Sequence, residues 1–152
     1  MEIRELEEGD FKGLCALILE IYDEAPYATT FDSRPGEEEL ESLMRRKIEG
    51  MRSRTLADLV AVEGGRVVAD CEIVKATETG GVIGIIVAKD HRRRGVGKRL
   101  VEKCSEKARL LKMREVYAEV DDKNQNAIDF FSSCGFREQE GEDTLTMLKA
   151  LD

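Results

Sequence analysis

Apolar positions along the chain recur with two different periods. After a short apolar start around Ile3, Leu14, Leu17, Ile18 and Ile21 stand three and four apart, which predicts a helix from Phe11 to Asp23 with Asp10 as its cap. Pro26 and the stretch Thr29 to Pro35 break that spacing. It returns through Leu40, Leu43, Met44 and Ile48, predicting a second helix over Glu37 to Met51 whose outer face is strongly charged.

From Ala57 the texture changes to strands. Leu59 to Glu63, the turn Gly64-Gly65, Val67 to Lys75, a second turn at Thr79 to Gly81 and Val82 to Val87 predict an antiparallel meander. Val82-Ile83-Gly84-Ile85-Ile86-Val87 is apolar on both faces, as expected of a central strand covered above and below. Helical spacing resumes in Val96, Leu100, Val101, Cys104, Ala108 and Leu111, then come a short strand Glu115 to Val120 and a helix near Asn124 to Ser133. Strand, helix, strand is the order of a parallel crossover. Phe136 to Gln139 and Thr144 to Leu148, around a turn at Gly141 to Asp143, predict a closing hairpin. The fold class is α/β in the α+β sense: one central mixed, mostly antiparallel sheet flanked by helices on both faces.

At 152 residues the chain is expected to form one domain, spanning 1-152, with a self-sufficient core. No apolar run approaches the ~20 residues of a membrane helix, and Met1 to Asp10 lacks a signal-peptide profile, so no membrane association and a cytoplasmic location are expected. The four cysteines are spread without a C-x-x-C pair and the single histidine is His91, which argues against a metal site or a disulfide framework. A net charge of −8 argues against nucleic acid as partner and suits a cationic one.

The segment His91-Arg92-Arg93-Arg94-Gly95-Val96-Gly97-Lys98 joins the apolar strand to an amphipathic helix through two glycines. The first turn of a helix offers unpaired N–H groups and the positive end of its dipole, and glycine lets a phosphate approach the backbone. The same residues also read as a solvated charge run ending a loop. Leu100 occupies the third glycine position of the dinucleotide fingerprint, and the Walker spacing is absent.

Arg92-Arg93-Arg94-Gly95-Val96-Gly97 matches R/Q-x-x-G-x-G/A, and Asn124 to Phe136 matches N-x-x-A-I-x-x-Y-x-x-x-G-F apart from Phe131. With the element order, these two motifs make essentially the whole chain resemble the GNAT acetyltransferases. The resemblance implies acetyl-CoA as cosubstrate and an amine, on a small molecule or a protein, as acceptor, with direct attack in a ternary complex. It implies that backbone groups of Ile85, Ile86 and Val87 hold the pantetheine amides. It further implies that Arg92, Arg93, Arg94, Gly95, Val96, Gly97 and Lys98 form the pyrophosphate and 3′-phosphate site. Asn124 matches a cofactor-contacting position and equally suits an N-cap. Family members include monomers and dimers; a homodimer is the expectation here.

An ammonium must lose a proton before it attacks a thioester, and a carboxylate serves as base. Glu119 matches the proposed base of GNAT enzymes that act on protein N-termini, Tyr117 shares its strand face, and Glu72 is the next candidate. Phe131 stands where many members carry the tyrosine that protonates the departing thiolate, which leaves it as a packing contact for the thioester arm. That departure also admits an alternative, a non-catalytic acetyl-CoA-binding sensor or scaffold. Tyr22, Tyr27 and Phe31 are candidate walls of the acceptor pocket. Cys134 reads as a small core residue, and His91 as an exposed loop residue without a role.

Overall fold

The computed structural model describes residues 1–139 and 145–151; the turn expected at Gly141 to Asp143 and the strand start at Thr144 lie outside the described residues. The elements are β1 (Glu2–Glu5), α1 (Phe11–Glu24), α2 (Glu37–Arg52), β2 (Leu56–Glu63), β3 (Arg66–Lys75), β4 (Gly80–Val87), α3 (Val96–Leu110), β5 (Glu115–Val120), α4 (Gln125–Ser133), β6 (Arg137–Gln139) and β7 (Leu145–Ala150). The seven strands form one sheet in the order β1-β2-β3-β4-β5-β7-β6. Among the described residues only β4 and β5 pair in parallel. The mixed, mostly antiparallel sheet is thus present, with β4 at its middle.

Period-two alternation sends Asp58, Asp70 and Glu72 to one face of the sheet and Ala57 and Cys71 to the other. Lys47 of α2 meets the first set. The thiol of Cys104 on α3 meets the carbonyls of Ala57 and Cys71 at 3.7 and 3.5 Å on the second. Helices α2 and α3 therefore cover opposite faces. The inward stripe of α3, Val96, Leu100, Val101, Cys104 and Ala108, is buried as its spacing predicts. Each such aliphatic side chain contributes roughly 1.5–3 kcal/mol of apolar burial.

Three expectations need correction. Strand β4 begins at Gly80, not Val82, because Gly80 and Gly81 serve close approach and not a turn: a Cβ on Gly81 would stand 2.6 Å from Sδ of Met113 and 2.7 Å from Ile73. Its second half is not covered on both faces; Gly84 is exposed and Ile85 to Val87 are half-buried. Asp10 does not cap α1 with its side chain. Both its oxygens are taken by the Arg4 guanidinium at 2.8 Å, and the Glu7 N–H donates to it at 2.8 Å, so it closes the 3-10 turn before the helix. That guanidinium holds the Asp10 carboxyl below the usual range.

The two strand glycines should behave oppositely on substitution. Gly81→Ala is expected to cost about 1–3 kcal/mol through overpacking. Gly84→Ala, whose Cβ would meet nothing within 4 Å, should leave stability unchanged within about 0.5 kcal/mol. Chemical denaturation of the two variants measures both.

Candidate functional site

The pairing of β4 with β5 is limited to Gly80–Val82 against Glu115–Tyr117, after which the strands part. The ladder with β3 fixes which groups of β4 are left over. Ala76 N–H donates to Gly80 O and Ala88 N–H to Val68 O, both at 2.8 Å, so the even positions of β4 spend their polar groups on β3. Ile85 and Val87 turn theirs into the gap. Ile86, one of the three residues expected to offer backbone groups there, pairs with Asp70 instead. One acceptor in the gap is occupied, because Arg92 Nε donates to Val87 O at 3.0 Å.

Beyond the gap the chain curls through Arg93 and Gly95, both left-handed with φ of 62° and 81°, and enters α3 at Val96. For Arg93 that conformation costs roughly 1–2 kcal/mol. None of the N–H groups from Arg93 to Lys98 meets an acceptor among the described residues, and Arg99 N–H is the first to bond back, to Gly95 O at 3.1 Å. Six consecutive donors at a helix N-terminus form a concavity suited to an anion. Arg93, Arg94 and Lys98 are exposed around it. Arg92 is committed elsewhere: its guanidinium forks onto Glu24 at the end of α1, at 2.9 and 2.6 Å, and holds that carboxyl below its ordinary range.

Gly97 is buried against α4, where a Cβ would stand 2.8 Å from Cε1 of Phe130. Phe131 is only 5% exposed and packs edge-on to Phe130 and Phe136, with ring centroids 5.3 and 5.1 Å away. Asn124 caps α4, its side-chain oxygen accepting from Ala127 N–H at 3.1 Å. The sequence left cap and contact open; the capping bond uses the carbonyl half of the amide.

The three catalytic candidates share the α2 face. Val82 is opposite Tyr117 in the register and Gly84 opposite Glu72, so alternation places Glu72, Gly84, Tyr117 and Glu119 on one side of the sheet, around the point where β4 and β5 part. Glu119 is exposed and forms no ion pair among the described residues. Glu72 does not stand free: Lys47 Nζ lies 2.8 Å from it and Arg46 3.4 Å. Phe31 and Leu43 line an open hollow of about 430 Å³ with Glu38, Glu39, Ser42 and Arg46. Tyr27 is 52% exposed and outside that lining.

This arrangement has close counterparts. A model of the acetyltransferase (GNAT) family matches residues 16–136. The chain belongs to that family. Among solved structures, a ribosomal-protein-alanine N-acetyltransferase from Brucella melitensis superposes with a TM-score of 0.83 at 23% identity, over 99% of this chain and 100% of its own. A putative acetyltransferase from Salmonella typhimurium, solved with its cofactor acetyl-CoA, gives 0.82 at 17% identity, over 100% and 94% of the two chains. A spermidine N-acetyltransferase from Vibrio cholerae, in complex with CoA and spermine, gives 0.77 at 17%, over 99% and 95%. No curated protein matches the sequence. At these identities the solved structures establish the GNAT fold. Among the described residues no helix is long and apolar enough to cross a membrane, and no group of three or more His, Cys, Asp or Glu is arranged to hold a metal ion.

His91 departs most from its expected exposure. It is 7% exposed, clamped between Asp90, 2.8 Å from Nδ1, and Glu63, which meets Nε2. Arg66 extends the cluster to Asp90 and to Glu20 of α1. The imidazole thus pins the β2–β3 hairpin to the turn that precedes the anion concavity of this GNAT domain. Asp90 chiefly, and Glu63 after it, raise the His91 pKa. Arg66 and His91 pull that of Asp90 down to about 2. A raised folded-state value means the stabilisation is complete below the unfolded histidine's pKa of about 6.5 and is lost as pH rises through the folded value. His91→Gln should therefore flatten the fall in thermal stability expected of the unsubstituted protein as pH rises above about 6.5, as scanning calorimetry across that range would register.

Proposed function

We propose that this GNAT-family domain is an N-acetyltransferase that takes the acetyl group from acetyl-CoA and passes it to a primary amine, on a small molecule or a protein, by direct attack in a ternary complex. The observation that carries the reading is the run of unbonded N–H groups from Arg93 to Lys98 at the mouth of the β4–β5 gap. The pyrophosphate would lie on those donors, and the 3′-phosphate near Arg93, Arg94 and Lys98. Pantetheine would enter the gap as a substitute for the missing strand pairing, bonding Ile85 and the N–H of Val87. Ile86, whose backbone is spent on β3, and Phe131 would contribute apolar contact only.

In the reaction the amine nitrogen attacks the thioester carbonyl, the C–N bond forms, and the C–S bond breaks with departure of the thiolate. Glu119 is the better base, since no cation competes for its carboxylate among the described residues, and Tyr117 lies beside it on the same strand face. With no hydroxyl at Phe131, the thiolate leaves unassisted or with a proton from Tyr117; a thiol pKa of about 8.5 makes that departure accessible at neutral pH. The phenylalanine at this position also supports the alternative of a GNAT-fold module that holds acetyl-CoA without turnover.

Titration with acetyl-CoA by calorimetry tests the cosubstrate. Gly97 is a poor position for a disabling variant because any side chain there strikes Phe130. The double variant Arg94→Glu, Lys98→Glu reverses two exposed charges and should weaken acetyl-CoA at least about tenfold while leaving the melting temperature unchanged. Binding unaffected by the reversal would move the phosphates elsewhere. Release of free thiol on addition of amines separates the enzyme from the binding module.

A further inference from the structure

The largest charge anomaly of the molecule lies beneath the acceptor side of the gap. Lys47, 4% exposed, directs its three N–H bonds to Asp58 at 2.6 Å, Asp70 at 3.0 Å and Glu72 at 2.8 Å. Asp58 and Asp70 are 1% and 5% exposed. The second oxygen of each is buried without a hydrogen-bond partner among the described residues. Three carboxylates thus face one ammonium, and Arg46, reaching Glu72 from the exposed side, is the other cation within range. On this face β4 adds Val82, Gly84 and Ile86, none of them charged, and Cys71 lies on the opposite face of β3.

Two buried carboxylates in contact with a single ammonium cannot both ionise without a large desolvation cost, and two unpartnered oxygens are what a proton held between them would satisfy. Burial first and Asp70 next push the Asp58 carboxyl well above the ordinary range, and both carboxyls accept from the same Lys47 ammonium. The half-buried end of the network is Glu72, opposite Gly84. Gly84 is a strand glycine with no positive φ and open space where a Cβ would stand, so neither backbone conformation nor packing requires it. Its lack of a side chain leaves the floor beside Glu72 clear.

We propose that Asp58 and Asp70 share one buried proton at neutral pH, and that Lys47 is a positioning residue which ties this pair to Glu72 and holds Glu72 as the contact for an alkylammonium group over Gly84. The acceptor part rests on the acetyl-transfer reading. A cation placed at Glu72 adds positive charge beside the pair and favours its full ionisation, so the shared proton passes to solvent buffer as the ammonium binds.

Infrared spectroscopy at pH 7, where exposed carboxyls of pKa about 4 are ionised, reads the proton directly. A carboxylic-acid band is expected in the unsubstituted protein and in Glu72→Gln, and is lost in Asp58→Asn, which keeps the hydrogen-bonding shape of a protonated acid. Calorimetry with pentane-1,5-diamine in two buffers of different protonation heat reads the coupling. Binding with net proton release is expected, weakened at least about tenfold by Glu72→Gln and stripped of the release by Asp58→Asn. Should Asp58→Asn not fold, the unsubstituted protein and the rim variant Glu72→Gln still decide both points. Absence of the acid band, no diamine binding, binding without proton release, or equal binding by Glu72→Gln would each overturn the proposal. Acetyl-CoA titrated into the same samples keeps the two readings apart: a protein that binds it yet ignores the diamine retains the proposed function and loses this inference.

Discussion

The site depends on a sheet that stops pairing in its own middle. Backbone N–H and C=O groups removed from water need partners, and a strand at the centre of a seven-stranded sheet would ordinarily find them on both sides. Here β5 leaves β4 after Val82, so the donors and acceptors of Ile85 and Val87 face a wedge. The protein satisfies one of them itself, with the side chain of Arg92. The same guanidinium grips Glu24, so the end of α1, the edge of the wedge and the start of the anion concavity are joined through a single side chain. Exposed bidentate pairs of this kind contribute only modestly to stability, on the order of 1 kcal/mol or less, and their worth here is geometric.

The wedge stays open because the elements beside it are held from elsewhere. Gly97 admits Phe130 at van der Waals distance, and Phe130, Phe131 and Phe136 form a continuous edge-to-face cluster. The first turn of α3 and helix α4 thus pack together on the far side of the wedge. Phe131 belongs to that unit. Its ring serves a structural purpose that a tyrosine would serve only if its hydroxyl found a partner at the buried end.

Much of this was legible in the chain. Helix α1 was anticipated to within one residue at its end, α2 likewise, and α3 and β5 by position, because their apolar residues keep a single period and their cores are single-sided. Glycines misled where they serve contact: Gly80 and Gly81 look like a turn and are strand. The buried ions were hidden for a different reason. Hydropathy treats Lys47 as a surface residue, yet Leu40, Met44, Lys47 and Met51 continue one helical stripe, which was the available signal. Asp58 and Asp70 likewise sit inside strands, each between apolar neighbours, where aspartate is disfavoured. His91 gave less warning, since Asp90 is its neighbour in the chain and only the tertiary fold brings Glu63, at the end of β2, to its other nitrogen. The Arg92–Glu24 pair spans 68 positions and follows from no local pattern.

In the proposed reaction the two acidic groups on the α2 face would take different parts. A carboxylate that already accepts from an ammonium and a guanidinium has its lone pairs engaged, whereas its negative charge, set on a buried network, can hold a cation in place. A carboxylate without such partners keeps its freedom to take a proton. Glu72 fits the first description and Glu119 the second, and the two lie on one face with Tyr117 beside Glu119 on β5 and the vacant side-chain position of Gly84 on β4 between their strands. The division also explains why an acidic residue count alone was uninformative. In the proposed reaction, what would separate an anchoring carboxylate from a reactive one is that Lys47, eleven residues before Asp58 on the chain, points inward.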